Sequence, residues 1–125
     1  MIRFRRVLVL TRDVGECLNF YGSEGLGLRV RFASDSYAEF DCGDKHGTTF
    51  ALQKVEREAE CSTGYSPMLH FDVEDMDSLI GRLIMLGGRL DGPIKYPVHG
   101  KLASLRSPNG QMIGLFERNV DLPEE

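Results

Sequence analysis

The sequence has 125 residues, 42% of them hydrophobic and 27% charged, with a formal net charge of −4. This length and apolar content suit one domain with a single core and exclude two independent ones. The acidic balance argues against the basic face that a nucleic-acid-binding protein needs. No run of about 18 apolar residues is present, and Met1-Ile-Arg-Phe-Arg-Arg is not followed by the apolar stretch of a signal peptide. The expectation is a cytoplasmic protein with no membrane segment. Cys17, Cys42 and Cys61 are too few and too scattered for a disulfide framework or a CxxC knuckle. Cys17 and Cys42 are expected as small core residues. Carboxylates around Cys61 argue against a nucleophilic thiol there.

In chain order, residues 2–11 read as a strand in which Val7, Val9 and Thr11 alternate, carrying the basic cluster Arg3, Arg5 and Arg6. Residues 13–22 read as a helix capped by Asp13 or Thr11, with an apolar face of Cys17, Leu18, Phe20 and Tyr21 that stops at Gly22 and Gly25. Residues 26–33 form a second strand, with Arg29 and Arg31 on a wet face. Tyr37–Cys42 is a third strand, 43–47 a turn carrying His46, and Thr48–Gln53 a fourth strand. Residues 54–66 are a charged linker with room for one helical turn. In the second half Leu69, Phe71 and Val73 alternate as a strand, and Leu79, Leu83 and Leu86 recur at helical spacing before Gly87-Gly88. Pro93–Pro97 supplies a sixth extended segment. A turn at His99-Gly100-Lys101 leads into a strand Leu102–Arg106, and the turn Ser107-Pro108-Asn109-Gly110 into a last strand Gln111–Glu117. The acidic tail 119–125 is expected to fray.

Each half therefore reads strand, helix, three strands, which is an internal repeat: module one at 2–53 and module two at 67–118. The predicted class is α+β, with two βαβββ modules forming a curled mixed sheet around a concave cup that neither module closes alone.

Three stretches carry a family resemblance: Thr11-Arg-Asp-Val-Gly-Glu-Cys-Leu-Asn-Phe-Tyr21 with Gly25-Leu-Gly-Leu28; Phe71-Asp-Val-Glu-Asp75 with Leu86-Gly-Gly88; and Arg106-Ser-Pro-Asn-Gly-Gln-Met-Ile113. In order and spacing they resemble the vicinal oxygen chelate superfamily, which includes glyoxalases, extradiol dioxygenases and bleomycin-resistance proteins. Metal-dependent members place His, Glu, His and Glu on the first and last strands of each module. Carried over by position, this resemblance puts those ligands at Arg6, Ala51, Met68 and Gly114. Arginine stays protonated, alanine and glycine have no donor, and a thioether is too soft for Mg²⁺, Mn²⁺ or Zn²⁺. The expectation is that the metal site is lost and that no cofactor is used. The resemblance also implies a homodimer in which halves of two chains share a cup.

Strand phase predicts a lining of Phe4, Arg6, Leu8, Thr49, Ala51, Gln53, Met68, His70, Met112, Gly114 and Phe116, mostly apolar with a few polar groups, as suits an organic molecule. His70 reads either as a pocket group that hydrogen-bonds or protonates a ligand, or as a partly buried histidine paired with Asp72 or a backbone carbonyl. His99 reads as turn surface or as a lid residue. Arg6 reads as an anion-attracting replacement for the metal or as an edge charge reaching solvent along its stem. Three functions follow: a metal-independent module that binds a small organic molecule; a lyase, isomerase or dioxygenase rebuilt around His70, Arg6 and Glu39 or Asp72; and a non-catalytic interaction domain.

Overall fold

The computed structural model describes Ile2 and residues 4–42, 48–62 and 64–118. Arg3, the predicted 43–47 turn with His46, and the acidic tail 119–125 lie outside the described residues. In chain order the elements are β1 (Arg6–Thr11), α1 (Val14–Tyr21), β2 (Arg29–Ala33), β3 (Tyr37–Asp41) and β4 (Thr49–Lys54). A short 3-10 turn (Glu58–Glu60) follows, then β5 (Leu69–Val73), α2 (Met76–Met85), β6 (Arg89–Leu90), β7 (Gly100–Arg106) and β8 (Met112–Arg118). Each half is a βαβββ module, as the repeat predicts. The strands form two four-stranded mixed sheets, β1-β4-β3-β2 and β5-β8-β7-β6. In each, the first strand runs parallel to the last, and the remaining pairs are antiparallel. Among the described residues no ladder joins β1 to β5.

Both helices begin on an aspartate. Asp13 accepts a hydrogen bond from the Glu16 amide at 3.1 Å, and Asp75 from the Ser78 amide at 3.2 Å. Each cap satisfies an amide that has no partner inside the helix. The buried face of α1 is Val14, Cys17, Phe20 and Tyr21, and that of α2 is Met76, Leu79, Ile80 and Leu83. This 3–4 spacing turns one stripe of each helix onto its sheet, where Phe40, Phe50, Leu52, Leu105, Ile113 and Leu115 meet it. Burying each large side chain contributes about 1.5–3 kcal/mol relative to exposure.

The two modules share this core. A Cβ added at Gly88, just after α2, would lie 2.8 Å from the Phe20 ring of α1, so only glycine permits that approach. The Asn109 amide, in the β7–β8 turn, donates to the Leu10 carbonyl of β1 at 2.8 Å. No helix among the described residues is long and apolar enough to cross a membrane.

The structure corrects four expectations. Cys17 is fully buried but Cys42 is exposed, because β3 ends at Asp41 and leaves it beyond the core. Strand β2 is exposed on both faces, Val30 and Phe32 included, since it is the outer strand of its sheet. The sixth strand is Arg89–Leu90; the 93–97 segment holds only a single bridge at Lys95, consistent with prolines that cannot donate to a ladder. Gly100 and Lys101 already belong to β7, so the turn lies at Val98 and His99.

Candidate functional site

On the first sheet, pairing sets Arg6 beside Thr49, Leu8 beside Ala51, Glu39 across from Ala51 and Tyr37 across from Gln53. These side chains share the face opposite α1. The register of β2 slips between Val30 and Phe32. A bulge of this kind turns consecutive residues to one side, and Arg31 and Phe32 both reach the same face. The result is a connected polar group. Arg6 Nη1 donates to Tyr37 Oη at 2.7 Å, and Tyr37 Oη donates to Glu39 Oε2 at 2.8 Å. Arg31 Nη1 lies 3.9 Å from Glu39 Oε1 and donates to Thr49 Oγ1 at 3.5 Å. The Arg6 guanidinium also stands 5.7 Å from the centroid of the Tyr37 ring, within cation–π range. Ala51, in register between Leu8 and Glu39, is small enough to let these long side chains meet.

On the second sheet His70 pairs in register with Gly114, and Ser104 lies on the other side of that glycine. The His70 ring lies over Gly114, where an added Cβ would be 2.6 Å from Cε1. The His70 side chain is exposed and, among the described residues, makes no hydrogen bond or ion pair. The alternative pairing with Asp72 or a carbonyl is therefore absent; Asp72 lies two register pairs away, opposite Phe116. Arg106 stands at the end of β7. It donates to the carbonyls of Gly64 at 3.2 Å and Gly110 at 2.8 Å, and stands 5.2 Å from the Tyr65 ring centroid.

A cavity of about 540 Å³ opens between the modules. Thr49, Met68 and His70 line it, as does Asp72; so do Val7 and Phe50, which face the helices. Of the predicted lining, Phe4, Arg6, Leu8, Ala51, Gln53, Met112, Gly114 and Phe116 lie outside its wall. Phe4 and Leu8 are exposed, whereas Ala51, Met112 and Gly114 are buried beneath their strand neighbours. His99 is exposed at its turn. Sequence reasoning missed Tyr37 and Arg31. Period-two phase in β3 would have set Tyr37 beside Glu39, but no sequence signal marks the bulge at Arg31.

The four positions expected to have lost a metal ligand remain without a usable donor set. Arg6 is engaged by Tyr37, Ala51 is a methyl group, Met68 precedes β5, and the space above Gly114 is filled by His70. Among the described residues no group of three or more His, Cys, Asp or Glu side chains could hold a metal ion. These residues do not fit a divalent metal of the His/Glu type.

The thiols are quiet. Burial pushes the Cys17 thiol from its ordinary value of 9.0 up to about 11, against a hydrogen bond to Thr11 that lowers it. Cys61 is also raised, first by burial; its hydrogen bond with the Arg12 backbone lowers it, and Glu58 and Glu60 add smaller increases. The carboxylates thus act in the expected direction but are not the main cause.

Residues 3–115 match the family model of the Glyoxalase/Bleomycin resistance protein/Dioxygenase superfamily. No curated protein matches the chain. Among solved structures, a glyoxalase/bleomycin resistance protein/dioxygenase family enzyme from Burkholderia phytofirmans PsJN is similar over 94% of this chain and 100% of its own, with TM-score 0.74 and 19% identity. TnmS3, an antibiotic binding protein from Streptomyces sp. CB03234, is similar over 95% and 98%, with TM-score 0.66 and 21% identity. The bleomycin-binding protein from Streptomyces verticillus, solved with copper(II)-bleomycin, is similar over 95% and 100%, with TM-score 0.59 and 17% identity. At these identities the likeness establishes the fold alone.

Proposed function

Since the chain belongs to the Glyoxalase/Bleomycin resistance protein/Dioxygenase superfamily, we propose that it is a metal-independent member that binds a small organic molecule in its concave cup. One observation carries this reading: the four inherited ligand positions hold Arg6, Ala51, Met68 and Gly114, with the His70 ring where a Gly114 side chain would stand. A cavity of about 540 Å³, which meets the predicted cup at Thr49, Met68 and His70, is of ligand size, which disfavours the third function, a filled interaction domain. Structural neighbours that bind an antibiotic and bleomycin show that this fold accommodates such cargo. The proposed setting is the cytoplasm. We further propose a homodimer, supported by β1 and β2 standing as the outer strands of the first sheet, where a second chain could pair.

The test is the metal content of protein purified without chelator or nickel resin, followed by thermal shift with Mn²⁺, Ni²⁺, Zn²⁺ and Fe²⁺. A ligand that binds only the folded state stabilises it by RT ln(1 + [L]/Kd), so a real site must raise Tm. Indifference to all four metals is expected. A stoichiometric metal with a matching rise in Tm would overturn the reading. A second reading, a lyase or isomerase built on His70, is favoured by the position of that imidazole on the cavity wall with Asp72. A turnover rate that vanishes in His70→Ala would decide for it.

A further inference from the structure

We propose that the face of module one carries an anion-recognition subsite, with Arg6 as the residue that contacts the anionic group and Tyr37 as the residue that positions it. The proposal rests on the binding reading above and names its ligand class: an organic anion with an apolar body, the negative group being a carboxylate, sulfonate or phosphate.

Charge balance supplies the first reason. Register and contacts put Arg6, Arg29 and Arg31 on this face against the carboxylates Glu39 and Asp41, leaving one positive charge in excess among the described residues. Glu39 is already engaged, ion-paired with Arg31 and accepting the Tyr37 hydroxyl proton. Arg6, by contrast, has no carboxylate within 4.0 Å among the described residues, only the oxygen and the ring of Tyr37. A half-buried guanidinium offers five N–H donors in a planar fork, and one contact to a neutral oxygen leaves most of them unused.

Orientation supplies the second. Because the Tyr37 hydroxyl donates its hydrogen bond to Glu39, it presents lone pairs to Arg6 and holds the fork in place before any ligand arrives. Preorganised donors recognise an anion at lower entropic cost than a free surface arginine does.

The surroundings supply the third. Leu8 is 42% and Phe32 54% exposed, and the Phe32 ring lies 6.4 Å from that of Tyr37. Apolar surface left open beside an uncompensated charge matches a molecule with an aromatic or aliphatic body and one anionic group.

The test is fluorescence titration of the full chain with two probes that share an aromatic body: 1-anilinonaphthalene-8-sulfonate, and the neutral N-phenyl-1-naphthylamine. The protein is expected to bind the sulfonate at least tenfold more tightly, and added NaCl to reduce that preference. Arg6→Gln should lower sulfonate affinity tenfold or more and leave neutral-probe affinity within twofold. Tyr37→Phe, which keeps the ring but removes the bridging hydroxyl, should lower sulfonate affinity several-fold in the same selective way. Arg57→Gln, on the exposed linker, should change neither. Arg6→Lys serves as a second variant should Arg6→Gln fail to fold, and is expected to retain part of the preference through charge without the fork. An equal loss for both probes, or no loss, in Arg6→Gln or Arg6→Lys would overturn the subsite. Binding of the neutral probe with no preference for the sulfonate would overturn the subsite while the cup reading stands; binding of neither probe would overturn both.

Discussion

The imidazole of His70 lies directly over Gly114, its register partner, so closely that a methyl group on Gly114 would be 2.6 Å from Cε1 and 2.7 Å from Nδ1. Space that a carboxylate side chain would occupy in a metal-binding relative is thus filled from the neighbouring strand. Gly114→Ala should push the ring aside. Because the obstructing atoms are the end of an exposed side chain, the stability cost is expected to stay near 1 kcal/mol or below. N-phenyl-1-naphthylamine affinity should change in the same direction, and by a similar several-fold factor, in Gly114→Ala and His70→Ala. If either variant loses several kcal/mol in urea unfolding, the contact between His70 and Gly114 is a structural device, and His70 does not serve the ligand.

The helix caps give a second expectation. Asp13 and Asp75 each hold the amide of the residue three positions on, at the two equivalent points of the repeat. Replacing either by alanine should cost about 1 kcal/mol, and replacing both about 2, since the two caps share no partner. Asparagine keeps an oxygen acceptor and should restore most of the loss. Equilibrium urea unfolding reads every one of these variants, and a single cap change without effect would show that its helix start is held by packing alone.

The first cap was legible in the sequence as Asp13 or Thr11, because a cap is a local event, decided within four residues. The helical stripes and the alternation of β5 were legible for the same reason. What escaped depends on partners distant in the chain. The bulge that brings Arg31 beside Phe32 is fixed by pairing with β3, and the exposure of Cys42 by where that pairing ends. The two-residue β6 follows from its ladder with β7, and nothing in Arg89-Leu90 alone announces it. At the candidate site, strand phase put Arg6 and His70 on the face opposite the helices. It could not show that Tyr37 would join Arg6 to Glu39, because that contact needs three strands in fixed register and a small residue at Ala51. Nor could it show that His70 would cover Gly114, which depends on the parallel β5–β8 register.

A third expectation concerns the turn between β7 and β8. Asn109 donates its amide to the Leu10 carbonyl, tying module two to the outer strand of module one. Ser107 is hydrogen-bonded to the same side chain through its oxygen. Aspartate has nearly the same shape but no donor, so Asn109→Asp would set a carboxylate against a carbonyl at a half-buried site. The expected loss is about 1–3 kcal/mol. Asn109→Ala should cost less than the aspartate variant, since it removes the bond without adding repulsion. Equal losses would mean that the hydrogen bond matters and the charge does not.

The last expectation is a pH dependence with a definite sign. Cys17 is wholly buried on α1, donates to Thr11, and has its thiol pushed by burial from 9.0 to about 11. Tyr21, on the same buried face, is shifted upward by burial as well. A group that holds its proton more tightly when folded contributes its full stability below the unfolded value, and loses it as pH rises through the folded one. The native state should therefore weaken between pH 9 and pH 11, with the thiol accounting for roughly 3 kcal/mol at the upper end. Cys17→Ala removes the titrating group. It will start from a lower stability because it leaves a small cavity, yet its stability should fall less steeply across this window, with the remaining slope due to Tyr21 and other basic-range groups. Urea midpoints at pH 8, 9, 10 and 11 for both proteins measure the difference. Parallel curves would mean that the thiol titrates alike in the folded and unfolded chain, and that the high-pH weakening lies elsewhere.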